Sequence, residues 1–93
     1  MRERDVEKAL TRAVKQTGGV ALKWVSPGFN GAPDRIVIGP GGRVVFVEVK
    51  APGGEPRPVQ RAAIATLRRL GCAVFVIDHP DQIEGVLDAV SPA

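Results

Sequence analysis

The chain has 93 residues and a mass of 9.8 kDa, with 44% hydrophobic and 25% charged residues. That is the size and composition of one folded domain, too apolar for a disordered chain and without an apolar block that fits a transmembrane helix or a signal peptide. One cysteine and one histidine exclude an internal disulfide framework and a structural zinc site, so a reducing, cytoplasmic setting is expected. Thirteen Lys and Arg against ten Asp and Glu give a net charge of +3, and nine of the thirteen are Arg, the better planar phosphate ligand. This mild excess suits a nucleic-acid partner without demanding one.

Glu3 to Gln16 reads as a helix, because Val6, Ala9, Leu10, Ala13 and Val14 make one apolar stripe before Gly18-Gly19. Val20 to Val25 is a short strand containing Trp24, followed by a loop from Ser26 to Pro33. Arg35 to Ile38 and Arg43 to Lys50 are strands joined at Gly39-Pro40-Gly41-Gly42, hence a hairpin. The second of them is apolar on both faces, so it should be central. After the Gly/Pro loop from Ala51 to Arg57, Pro58 opens a helix to Leu70 with Ile64, Leu67 and Leu70 as its inner stripe. Cys72 to Ile77 is a strand, with Cys72 read as core, and Pro80 opens a last helix with Ile83, Leu87 and Val90 on one face. The order α-β-β-β-α-β-α predicts an α/β fold, a mixed central sheet flanked by helices.

Against this frame Glu48 is out of place, because an ionised carboxylate in a buried strand costs several kcal/mol, about 3–5, unless compensated. The plain compensation is an ion pair with Lys50, two residues on and on the same face. A metal ion is the stronger one. Asp34, after Pro33, reads alone as a turn residue. A hairpin register that sets it opposite Glu48 would bring two carboxylates within roughly 5 Å, where they repel unless a cation lies between them. Glu7 borders the stripe of the first helix, with Glu3, one turn earlier, as its rival. Such a hard-oxygen set suits Mg²⁺ or Mn²⁺ and phosphodiester hydrolysis, with a lysine to orient or deprotonate water or to stabilise the phosphate. His79 reads as a solvated loop residue, and no glycine run has phosphate-loop spacing.

Pro33-Asp34 and, fourteen positions on, Glu48-Val49-Lys50 match the PD-(D/E)xK nuclease pattern. Around it stand Val6-Glu7-Lys8-x-Leu10, Lys23, Ser26-Pro27-Gly28, Gly31-x-Pro33-Asp34-Arg35, Phe46 to Gly53, Pro58-Val59-Gln60, Leu70-Gly71 and Val74 to Asp78. Together they resemble the stand-alone VRR-NUC domain over nearly the whole chain. The resemblance implies a PD-(D/E)xK, restriction-endonuclease-like core and a Mg²⁺- or Mn²⁺-dependent endonuclease. Asp34, Glu48 and the Val49 carbonyl would hold the metal, with Glu7 as the first-helix acid acting through water. Lys50 would be the catalytic lysine and Gln60 the glutamine that opens the helix after the core motif. Small members of this kind resemble homodimers that cut branched DNA such as four-way junctions. The sequence departs at Phe29-Asn30, where members often carry a basic residue, so the resemblance does not say how this loop meets DNA.

Lys23, Arg35, Arg57 and Arg61 are the expected DNA contacts on the rim. A nearly two-fold junction needs two active sites, and one chain of this size supplies one, so a homodimer is expected, paired through the first helix, the last helix or the first strand. Two other readings remain open at this level. One is a DNA-binding module without catalysis. The other is a restriction- or repair-type endonuclease for duplex or flap DNA.

Overall fold

The computed structural model describes residues 1–92. Its elements are α1 (Glu3–Gln16), β1 (Val20–Lys23), β2 (Arg35–Ile38), β3 (Val44–Val49), α2 (Pro58–Arg69), β4 (Val74–Ile77), a single 3₁₀ turn (Pro80–Gln82) and α3 (Ile83–Val90). The Asp5 carboxylate accepts the Arg2 backbone N–H at 2.7 Å at the start of α1. Acids in its first turn and Lys15 in its last complement the helix dipole. The helix ends through Gly18, whose φ of 89° is open to glycine and costly for other residues.

The four strands lie in the order β1-β2-β3-β4. The first two pairings are antiparallel, and β3 with β4 is parallel, bridged by α2. This is the expected mixed sheet with β3 inside it. Alternation along β3 sends Val45, Val47 and Val49 to one face. There they join Ala21, Val37, Val6, Leu10 and Val14, and the α3 residues Ile83, Val86 and Val90, in one core. α1 and α3 therefore share that face. Glu48, out of phase with these valines, looks to the other face, where α2 lies through Gln60, Ala63 and Ile64.

Several sequence expectations are corrected. β1 stops at Lys23, and Val25 is exposed. Leu70 is not core: α2 ends at Arg69, and Leu70 occupies the cap, 71% exposed. The inner face of α2 is instead Gln60-Ala63-Ile64, because the small Ala63 lets the helix approach closely enough for Gln60 to reach the sheet. Cys72 precedes β4 and is half-buried rather than core. In α3, Val86 takes the fully buried place beside Ile83 and Val90, with Leu87 at the margin. No helix of the described residues is long and apolar enough to cross a membrane.

Candidate active site

The site forms where β2 begins and β3 ends. Arg35 pairs with Val47 and Ile36 with Phe46, so one further step of the same register sets Asp34 opposite Glu48. Pro33, fully buried, fixes the approach of the chain. The Asp34 carbonyl accepts the Trp24 N–H at 2.9 Å, and its carboxylate accepts the Val49 N–H at 3.2 Å. Asp34 is thereby tied by backbone to both neighbouring strands. Trp24 itself stacks at 5.0 Å on Phe46, a packing role.

Glu48 is only 3% exposed. One oxygen, Oε2, accepts from Lys50 Nζ at 3.1 Å and from Gln60 Nε2 at 3.1 Å. The other, Oε1, is buried and has no hydrogen-bond partner. Gln60 is held at its far end, where Oε1 accepts the Arg57 N–H at 2.8 Å. Its amide thus caps α2 and orients Glu48 at once. The ion pair with Lys50 is present, yet it compensates only half of the carboxylate.

Asp34 carries the electrostatic signature of the site. Its pKa is raised from 3.8 to about 6. Burial is the largest cause, followed by repulsion from Glu48. The Val49 hydrogen bond opposes the rise, Glu7 adds to it, and Arg35 opposes it. Ligand atoms of Glu3, Glu7 and Asp34 lie within 4.8 Å of one another. The first helix therefore delivers both of its rival acids to Asp34, with Glu7 the more buried of the two. Arg35 is 18% exposed and pairs with Glu7 at 3.2 Å, so it braces the acid cluster. Lys23 and Arg57 are exposed as expected, and Arg61, also exposed, pairs with Glu55 at 3.1 Å.

Sequence reasoning did not foresee the service of the Ser26–Pro33 loop to this site. Gly31, at φ 80°, lies directly against the first turn of α2. A Cβ there would collide with the Val59 carbonyl and stand 2.9 Å from the Gln60 nitrogen. The glycine-proline composition marked a shaped loop, and nothing in the sequence named its partner. Beyond Lys50, the Asp78 carboxylate accepts the Gly53 N–H at 3.0 Å and pins the next loop to the end of β4.

The residues fit a divalent cation. Glu48 has a buried carboxylate oxygen without a donor, the Asp34 carboxyl is held neutral to about pH 6 chiefly by burial, and all the donors are hard oxygens. The three carboxylates that lie within 4.8 Å of one another are Glu3, Glu7 and Asp34, and they do not include Glu48. A pH prediction follows for the metal-free protein. Below pH 3.8 Asp34 is protonated folded and unfolded; between 3.8 and about 6 the folded chain holds a proton that the unfolded chain has released. Stability from this group therefore falls as pH rises through that window and levels off above it. Urea midpoints between pH 4 and 7 should show this decline in wild type, measured relative to Asp34→Asn, which lacks it.

The inner strands of this mixed sheet thus present a carboxylate pair and a lysine at one end. The VRR-NUC domain model matches residues 3–79, and the chain belongs to that family of nuclease domains. Protein p44 of Acyrthosiphon pisum secondary endosymbiont phage 1, whose name marks it as a nuclease candidate, is 46% identical over 91 residues. The match covers 98% of this chain and 97% of that relative. A solved VRR_NUC domain structure superposes with a TM-score of 0.84 at 31% identity, covering 96% of this chain and 97% of the other.

Proposed function

We propose that this protein is a Mg²⁺- or Mn²⁺-dependent endodeoxyribonuclease that hydrolyses phosphodiesters in structured DNA, acting as a homodimer with a preference for four-way junctions. The observation that carries the reading is the conflict between Asp34 and the buried, half-compensated Glu48. A binding-only descendant has no reason to keep buried carboxylates facing a polyanion. Asp34, Glu48 and the Val49 carbonyl would hold the ion, with Glu7 assisting through water. When bound, a divalent ion supplies Lewis acidity toward a phosphate oxygen and acidifies water. Lys50 Nζ, ion-paired with Glu48 at 3.1 Å, is the chain's own group for orienting water or balancing charge gained by the phosphate. Gln60 keeps Glu48 in place, and Arg35 does the same for Glu7. Lys23, Arg57 and Arg61 meet the DNA backbone. A junction offers two near-equivalent strands, which suits two copies of a one-site chain. A single half-buried cysteine and a phage relative accord with action in the cytoplasm of a bacterial, prophage-bearing or phage-infected cell.

The test compares labelled four-way junction with plain duplex in Mg²⁺, Mn²⁺ or EDTA, using wild type and Glu48→Ala. Junction cutting that requires both metal and Glu48 is expected. Junction binding without cutting would replace this reading by a binding module, and sequence-specific cutting of unbranched duplex by a restriction-type enzyme.

A further inference from the structure

α1 carries a feature that the site does not use. Arg4, Lys8, Arg12 and Lys15 recur at spacings of four, four and three. On a helix these positions fall within about an 80° arc, opposite the buried Val6, Leu10 and Val14. All four are exposed, and none forms an ion pair among the described residues. Arg4–Lys8 and Lys8–Arg12 are like-charge neighbours one turn apart, which costs the helix free energy, and Arg4 also sits at the positive end of the helix dipole. Such a row of exposed, unpaired cations is complementary to a polyanion. The same side chains line an open hollow of about 440 Å³ with Glu7 and Arg35, so the row runs straight into the acid cluster at Asp34.

Given the nuclease reading proposed above, we infer that the outer face of α1 is the track that holds a DNA strand leading to the active site. From Arg4 to Lys15 the row spans about 16 Å, the length of about five phosphates of one strand. An anionic lipid surface offers similar phosphate chemistry, but a helix binds lipid by inserting its apolar face, and that face of α1 is consumed by the core. α2 offers no comparable row, since Arg68 donates to the Val74 carbonyl at 2.7 Å, which leaves Arg61 as a single contact at its start.

The experiment measures Kd for a labelled four-way junction against NaCl in EDTA, where no metal-dependent cutting interferes. It compares wild type, K8Q/R12Q and the charge-matched control R43Q/R69Q, whose positions are exposed and distant in sequence from α1. The log–log salt slope of K8Q/R12Q should fall by about 1.5–2, at about 0.9 for each phosphate no longer neutralised, and its Kd near 0.1 M salt should rise at least about tenfold. The control should keep the wild-type slope within about half a unit. Equal shifts in both pairs, or none in K8Q/R12Q, would overturn the track. Thermal melts verify folding, and K8Q/R12Q should melt no lower than wild type because like charges have been removed. Cleavage of DNA by a wild type whose slope is indifferent to Lys8 and Arg12 refutes the track alone. A slope that falls only in K8Q/R12Q, with no cutting in Mg²⁺ or Mn²⁺, refutes the nuclease reading alone. Tight binding to phosphatidylserine vesicles that is lost in K8Q/R12Q, with DNA binding unchanged, would assign the face to lipid instead.

Discussion

Asp34→Asn should produce a protein that is more stable and inactive. Asparagine keeps the shape of the side chain and an oxygen for the Val49 N–H, but it carries no charge to be buried or repelled. At pH 7 without metal, the folded wild type must hold Asp34 ionised against both burial and Glu48. Removing that burden should raise stability by about 1–2 kcal/mol, less than the full pKa displacement implies, because solvent screens part of the interaction. The same change removes a proposed metal ligand and should lower the rate of junction cutting by about 10²–10³-fold or more. Urea denaturation in EDTA and single-turnover cleavage in Mg²⁺ measure the two effects. A variant that loses stability would show that the Asp34 charge is compensated within the chain itself. Added Mg²⁺ or Mn²⁺ should stabilise wild type and leave Asp34→Asn nearly unmoved, since the ion's worth to the fold is its preference for the folded carboxylates.

Gly31→Ala should damage the protein from outside the acidic cluster. The residue sits at a positive φ and in contact with the first turn of α2, so the new methyl meets both a backbone strain and a collision with the Val59 carbonyl. The expected loss of stability is about 2–4 kcal/mol, from an unfavourable φ and from overpacking. If the chain remains folded, α2 must shift outward at its start, which draws Gln60 away from Glu48. A displacement near 1 Å at a positioning group lowers activity by about 10²-fold. Gln60→Ala offers the comparison: it should reproduce the loss of cutting with a smaller loss of stability. A Gly31→Ala protein with wild-type cleavage would mean that the loop does not hold α2 in register with the sheet.

The fold was largely legible because its signals are local and repeated. Alternating valines along β3, the three- and four-residue stripe of α1 and the glycine breaks named the helices and strands in order, but Pro80, expected to open the last helix, opens a 3₁₀ turn instead, and α3 begins at Ile83. The hairpin turn near Gly41 brought Asp34 across from Glu48, and the observed register does the same. Misreadings arose where tertiary contact outweighed pattern. Leu70 belongs to a plausible stripe, but the helix has already ended, and the inner face is chosen by Gln60, which no hydrophobicity rule selects. Cys72 and Val25 fall just outside strands whose ends are set by their neighbours rather than by their own sequence. Within the site, residue type and spacing identified the acids and the lysine. The bracing of Glu7 by Arg35 was not legible, because it joins residues 28 apart in the chain through a helix packing that the sequence does not specify. Nor was the dual use of the Gln60 amide, which depends on where α2 begins.

The order of strands in space is their order along the chain. No strand has to be threaded between two that are already paired. Only the β3–β4 pairing spans a crossover, through α2. The antiparallel pairings close short loops and favour rapid folding. The β2–β3 pairing, with Asp34 and Glu48 one step beyond its register, is local in sequence, whereas the Lys50 N–H reaches across to the Ile77 carbonyl. The two acids thus share one hairpin with Val49 and Lys50, which hold them, and among the described residues only Gln60 reaches Glu48 from outside it, 12 residues on.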